Sequence, residues 1–185
     1  IMYLARSEAE MQQHEQWLAS VRHLSQDSRL LNPSQINDMV PGGQGRWAGG
    51  IYTPSDGRAE PTLACSAIAQ AALKKGVLIV ENCAVRNLIM SAGRVSGVMT
   101  ERGAIHCEQV LLAGGLWSRR FLGNLGVSLP TLPLVASVVR TAPLEGPADI
   151  AVGAPDFSFR KRLDGGFTIT QRGALYAPLM LDSLL

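Results

Sequence analysis

Apolar and polar positions repeat with different spacings along the chain, and each spacing predicts a different element. Ile1-Met2-Tyr3-Leu4-Ala5 reads as a strand. Ser7, with Glu10 three residues on, is placed to cap a helix as a capping box, and Leu18 and Val21 carry its apolar stripe towards Leu24. Asn32-Pro33-Ser34 opens a second short helix with Pro33 in its first position, and Pro41 closes it. Residues 47–52 are extended, and Pro54-Ser55-Asp56-Gly57 makes a turn. Pro61 starts a helix through Leu63, Ala64, Ala67, Ile68, Ala71 and Ala72, which Gly76 ends. Its alanine-rich face is expected to be buried close against a sheet. Two runs without polar alternation follow, Val77-Leu78-Ile79-Val80 and Val110-Leu111-Leu112-Ala113, as expected of strands covered on both faces. Between them, 85–90, 95–100 and 104–107 alternate and are joined by turns at 91–94 and 101–103, a small antiparallel meander. Ser118 is a candidate cap for a helix over 119–125. Residues 135–141 alternate loosely, and 157–162 lead through Asp164-Gly165-Gly166 into 167–170 as a hairpin.

Composition narrows the class. With 46% hydrophobic and 17% charged residues in 185, the chain is neither disordered nor a coiled coil. A formal charge of +2 gives no electrostatic footprint for nucleic acid. No apolar run reaches the roughly 20 residues of a membrane helix, and no signal peptide opens the chain. Cys65, Cys83 and Cys107 are odd in number and widely spaced, which argues for reduced thiols and a cytoplasmic protein. His14, His23 and His106 lack metal-ligand spacing; the first two are expected on solvent-facing helix positions and the third in the meander. Gly42-Gly43-Gln44-Gly45 resembles a phosphate loop but has no strand before it and no helix after it, so it reads as a flexible turn. The start on Ile1 and the apolar end from Ala177 to Leu185 suggest a piece excised from a longer protein; the alternative is a small protein whose ends pack against a partner subunit.

The second apolar run ends in Gly114-Gly115. In an open α/β sheet, ligands sit beyond the carboxyl ends of the parallel strands. Paired glycines there let a flat or phosphorylated ligand touch the backbone, although a tight strand-to-helix turn would use them equally well.

Val110-Leu111-Leu112-Ala113-Gly114-Gly115-Leu116-Trp117-Ser118 resembles the second flavin-contacting signature of the D-amino acid oxidase superfamily, which includes glycine oxidase, sarcosine oxidase and D-amino acid dehydrogenase. Asp56-Gly57 followed by Glu60-Pro61 is similar to the family's Asp-Gly-x-x-x-Pro entry into a long helix. Ala84-Val85 with Leu88, after Gly76 and a strand, matches the segment that reads adenine, and Gly93-Arg94-Val95-Ser96-Gly97-Val98-Met99-Thr100 completes the meander in family style. The resemblance implies an α/β plus α+β fold: part of a Rossmann-like, glutathione reductase-type FAD-binding domain over 56–132, and an antiparallel-sheet substrate domain from 1–55 and 133–185. It implies FAD as cofactor, with Ala84 and Val85 at the adenine, Gly114 and Gly115 near the ribose and pyrophosphate, and Trp117 packed beneath that turn. The family's amino-terminal Gly-x-Gly-x-x-Gly hairpin and carboxyl-terminal closing stretch are not in this sequence, so the isolated piece is expected to hold FAD weakly or not at all and to be inactive. Val135 and Ala136 stand where the family's Pro-x-Arg-Gly-Gln strand has Arg and Gly, which removes any flavin contact from that Arg.

The implied reaction is oxidation of an amine or amino acid (a D-amino acid, glycine or a sarcosine-like substrate) by hydride transfer from Cα to flavin N5, with electrons passing to oxygen or a quinone. The difficult chemistry belongs to the flavin, so no catalytic acid–base residue is required of the protein. An amino acid needs a cation for its carboxylate, best an Arg fork. Arg140 and Arg160 are the candidates, with Phe159, Phe157 and Tyr176 as walls. A 2-hydroxy acid or polyol-phosphate dehydrogenase of the same superfamily, or a non-catalytic α+β module completed by a partner subunit or further parts of the same chain, remain as alternative readings.

Overall fold

The computed structural model describes residues 1–24, 27–43, 46–172 and 176–178. The chain divides into two units, Ile1–Cys65 with Val135–Tyr176, and Ser66–Leu134 with the residues from Ala177 on.

The first unit is built on a seven-stranded sheet. In chain order its strands are β1 (Met2–Ala5), β2 (Arg29–Leu31), β3 (Gly49–Tyr52), β7 (Val138–Arg140), β8 (Val152–Gly153), β9 (Phe157–Lys161) and β10 (Phe167–Gln171). In space the order is β2-β3-β1-β8-β9-β10-β7. Every pair is antiparallel except β1 with β8, so the sheet is mixed rather than purely antiparallel. That parallel pair joins the two separated stretches of chain.

Helices α1 (Glu8–Val21) and α2 (Pro33–Met39) both touch β3, but from opposite faces: a Cβ on Gly49 would meet Met11 of α1, and one on the next residue, Gly50, would meet Ile36 of α2. Ser7 caps α1, its hydroxyl accepting from the Glu10 N–H at 3.3 Å. The capping box is only half made, because the Glu10 carboxylate accepts from the N–H of Arg6 instead of Ser7. α2 has the complete box: Asn32 and Gln35 each bond the other's backbone N–H, with Pro33 in the first turn. Beneath α2 lies the core, Met2, Leu4, Leu31, Ile36, Val40, Val152 and Ala154, with Trp47, Phe157 and Phe159 packed against it. His14 on α1 is half-buried rather than solvent-facing: its Nε2 is shut off from water without a hydrogen-bond partner.

The second unit holds most of α3 (Pro61–Lys74), the meander β4 (Val85–Ser91), β5 (Arg94–Thr100) and β6 (Gly103–His106), and α4 (Trp117–Gly123). The meander pairs antiparallel in the order β4-β5-β6, as its alternation predicts, with His106 in β6. α3 ends where Gly76 and Val77 donate back to Leu73 and Ala72, as expected.

Three expectations fail here. Residues 77–80 and 110–113 are not strands, and they are open to solvent, Leu78 being 84% and Leu111 91% exposed. An apolar run becomes a strand only when a neighbour takes its backbone hydrogen bonds, and among the described residues none pairs with either run. α3 buries none of its residues, so its alanine-rich face has no sheet beneath it. α4 starts two residues before the expected position: Ser118 is a buried second-position residue, and the cap residue Leu116 makes no side-chain cap bond. The glycine turn at 42–45 and the apolar end at 177–185 fall partly outside the described residues.

Candidate functional site

Residues directly paired across a sheet point to the same face. In the first unit Met2, Val152 and Phe159 form one register row, on the face that α2 covers. The adjacent row is Tyr3, Gly153, Ser158, Thr170 and Val138, and beside it runs Arg160, Thr168 and Arg140. Alternation puts these two rows on the opposite face, where α1 lies against Gly49 of β3 and the part along β8, β9, β10 and β7 stays open. It is polar where the other is apolar, which the sequence of β9 and β10 already requires.

Tyr3 lies over Gly153: a Cβ there would stand 2.8 Å from the ring's Cδ1 and 3.5 Å from Nη1 of Arg172. Arg172 donates to the Ala154 carbonyl at 3.2 Å, and the hydroxyls of Ser158 and Thr170 share a hydrogen bond. These residues, with Arg160 and Thr168, border a cavity of about 350 Å³. A second cavity of about 500 Å³, lined by Glu60, Leu63, Val138 and Arg140 among others, shares Arg160 and Thr168 with the first.

Three arginines meet at this second cavity with different commitments. Arg160 is held by Glu60 in a two-toothed pair, 2.9 and 3.2 Å, with side chains only 22% and 18% exposed. Leu163 N–H also donates to Glu60, and the Arg160 hydrogen bond above all holds the Glu60 carboxyl below the usual carboxylate range. Arg162 is buried and held by four hydrogen bonds: it donates to Asp164 at 2.7 and 3.1 Å and to the carbonyls of Phe167 and Thr141. Those bonds tie the β9–β10 turn to the end of β7. Asp164, its acidity raised first by Arg162 and then by the Gly166 N–H, is left only a 3.4 Å contact with Arg140. Arg140 is 69% exposed and is the uncommitted cation of the three.

Arg140 and Arg160 are thus brought to one cavity, but the fork of Arg160 is already filled by a carboxylate of this chain. Phe159 borders the first cavity while its ring packs with the core, stacked on Phe157 at 6.4 Å and edge-on to Phe167 at 6.0 Å. Tyr176 joins Val135 in an isolated bridge, and its side chain is exposed. Tyr3, Glu60 and Arg162 are absent from the sequence-derived candidates. Tyr3 and Glu60 meet their partners about 150 and 100 positions away along the chain, and only the sheet register reveals them.

In the second unit, the N–H of Glu101 donates to the Ala84 carbonyl at 3.1 Å. In an antiparallel ladder this makes the next pair, Val85 with Thr100, one that exchanges no backbone bonds. β4 is the edge strand, so the N–H and C=O of Val85 point to its free side. Gly115 has φ of +54° and nothing within 4 Å of where a Cβ would be, whereas a Cβ on Gly114 would meet Ser118 Oγ at 3.2 Å. Trp117 is 73% exposed and begins α4, its N–H donating to the Gly114 carbonyl. It does not pack beneath the turn, because the turn itself is open to solvent. A free backbone edge at Val85 and an open glycine backbone at Gly115 fit a flat ligand bound through main-chain contacts, as a dinucleotide is.

Comparison with known proteins gives concordant results. The chain is 34% identical over 122 residues to 4-methylaminobutanoate oxidase (formaldehyde-forming) of Paenarthrobacter nicotinovorans, covering 66% of this chain and 14% of that protein. It is 31% identical over 121 residues to D-amino acid dehydrogenase of Bradyrhizobium diazoefficiens, covering 65% of this chain and 28% of the relative. Among solved structures, L-amino acid deaminase from Proteus myxofaciens, in complex with anthranilate, superimposes with a TM-score of 0.91 at 28% identity, over 99% of this chain and 42% of that one. The chain therefore spans less than half the length of each. The family model described as DAO, FAD dependent oxidoreductase, matches residues 1–178, and with that match the chain belongs to this family of FAD-dependent oxidoreductases.

Proposed function

We propose that the chain is the substrate-binding part, and a portion of the cofactor-binding part, of an oxidoreductase that oxidises an amino acid or a secondary amine carrying a carboxylate. The observation that supports this most directly is the polar, open sheet face, whose second cavity holds one guanidinium without a close carboxylate, Arg140, in a family whose members oxidise such compounds. Arg140 receives the substrate carboxylate. Val138 and Leu63 exclude water from the substrate's apolar atoms, and the ring of Tyr3 with the Ser158–Thr170 hydroxyl pair orients the rest of the molecule. Fixing the substrate in one orientation is the protein's main contribution, because a held reactant needs no further ordering to react.

FAD, when bound, supplies the two-electron acceptor for this chemistry. On this chain the free N–H and C=O of Val85 hold its adenine, and the open backbone at Gly114 and Gly115 lies against its ribose and pyrophosphate. Glu60 and Leu63 line the substrate cavity, so the division between the two sides falls after residue 65, where the two units divide, rather than at 55/56.

The whole protein, purified and mixed with FAD, is expected to show a flavin visible spectrum that bleaches under anaerobic conditions with one of D-alanine, sarcosine or 4-methylaminobutanoate. A whole protein that stays colourless with added FAD overturns the reading. One that binds flavin but bleaches only with 2-hydroxy acids moves it to alcohol oxidation.

A further inference from the structure

Glu60 has no part in the proposed reaction, yet its carboxylate occupies the position at Arg160 that a substrate carboxylate would take. The charges around the second cavity are three guanidinium groups, Arg140, Arg160 and Arg162, against two carboxylates, Glu60 and Asp164. Arg162 is matched by Asp164 and Arg160 by Glu60, so one positive charge is left and it stands at Arg140. Arg140 and Arg160 both pair in register with Thr168, one on each side, which sets their Cα atoms about 10 Å apart. Two cations on that spacing would suit a ligand with a carboxylate at each end. Neutralising one of them turns a two-anion cavity into a one-anion cavity. A second carboxylate brought to Arg160 would also lie within a few ångströms of Glu60, where like charges at low exposure repel strongly.

We infer that Glu60 is a specificity-determining residue: by filling the fork of Arg160 it limits the cavity to substrates with one carboxylate and rejects dicarboxylic amino acids. This rests on the reading of the open face as the substrate site. It assigns Glu60 no contact with the reacting atoms. Its position fits the task, because it precedes α3 directly, with Pro61 next, and the Ala64 N–H bonds its carbonyl. The carboxylate is thus presented from a helix start and cannot drift away with a loop. A purely structural ion pair would look the same at rest but would not control ligand charge.

Butyrate and glutarate, which differ by one added carboxylate, test this directly by calorimetric binding to the whole protein. The wild type is expected to bind butyrate at least tenfold more tightly than glutarate. Glu60→Gln unmasks Arg160 and should improve glutarate binding at least tenfold, with butyrate changed no more than about threefold. The double variant Glu60→Gln with Arg160→Gln should return the ratio to that of the wild type. An unchanged ratio in Glu60→Gln, or equal losses for both ligands in a protein that keeps its circular dichroism spectrum, overturns the inference. If Glu60→Gln does not fold, Glu60→Asp decides: withdrawing the charge by one methylene should shift the ratio the same way by a smaller factor, and no shift counts against it. Binding is read without turnover, so the outcomes separate. Selective carboxylate binding in a protein that never binds flavin removes the oxidoreductase reading and leaves this inference standing. Flavin bleaching by amino acids with an unmoved ratio does the reverse.

Discussion

The ring of Tyr3 rests on the bare backbone of Gly153, at a distance where a methyl group would stand 2.8 Å from Cδ1 and 3.0 Å from Cε1. The two residues are partners across the one parallel pair of the sheet. Gly153→Ala is expected to lift the ring into the cavity beside Ser158 and Thr170. Overpacking of this kind destabilises by about 1–3 kcal/mol, and the displaced ring should weaken ligand binding at the open face. Thermal unfolding and butyrate calorimetry on the whole protein measure the two effects separately.

Arg140 carries the free positive charge of the second cavity. Arg140→Ala should raise KM for a carboxylate substrate roughly ten- to a hundredfold, the worth of one charge-assisted hydrogen bond at about 1.5–3 kcal/mol. It should leave the melting temperature nearly unchanged, because an exposed 3.4 Å contact with Asp164 contributes little. Steady-state kinetics with two substrates, one lacking a carboxylate, checks this: only the carboxylate-bearing one should suffer.

Arg162 is the opposite case. Four hydrogen bonds from a buried guanidinium fasten the β9–β10 turn, and Arg162→Met leaves the carbonyls of Thr141 and Phe167 without that donor. A loss of about 1–3 kcal/mol is expected, the cost of leaving a buried carbonyl without its donor, since the Asp164 left behind is half exposed, and urea unfolding would read it as a lower midpoint.

Val85→Pro removes only the N–H that points to the free side of β4. Proline is tolerated on a strand edge, so the meander should persist while FAD binds roughly three- to tenfold more weakly, the worth of one neutral hydrogen bond at about 0.5–1.5 kcal/mol. Quenching of flavin fluorescence in the whole protein gives the constant.

Two pH effects have the same sign for different reasons. Glu60 and Asp164 have folded-state pKa values below those of the unfolded chain, through Arg160 and Arg162 respectively. Their contribution to stability is therefore complete above the unfolded values, about 4.3 and 3.9, and is lost as pH falls below about 4. His14 is also lowered, here by burial, against a smaller opposing pull from Glu10. The unfolded chain binds its proton more readily, so stability falls as pH drops below about 6.5. His14→Leu should abolish the part of the acid loss that sets in as pH falls below about 6.5, and leave the carboxylate part below about pH 4 intact. Midpoints of urea unfolding across pH would show both.

How much of this was legible in the sequence depends on the range of the interaction. The caps at Ser7 and Asn32, the meander turns and the Asp164-Gly165-Gly166 hairpin are local, and they stand where the alternation and turn residues put them. The apolar runs at 77–80 and 110–113 were misleading because periodicity states that a segment could be buried, not that a partner strand is at hand. Phe159 and Arg160 are neighbours in sequence, yet one belongs to the core and the other to the open face, and alternation does not say which face α2 will cover. The Glu60–Arg160 pair was out of reach altogether, since no short-range signal links positions 100 apart.

The parallel pairing of β1 with β8 also sets a timetable for synthesis. Met2 and Tyr3 leave the ribosome well before their partners Val152 and Gly153, which follow roughly 150 residues later, about 8–30 s at ordinary translation rates of about 5–20 residues per second. Until then β1 has only β3 beside it, and its other edge, next to the apolar side chains of Met2 and Leu4, is unpaired. Nascent chains stalled between residues 60 and 150 should therefore bind a holdase chaperone, and those long enough to release β8 should let it go.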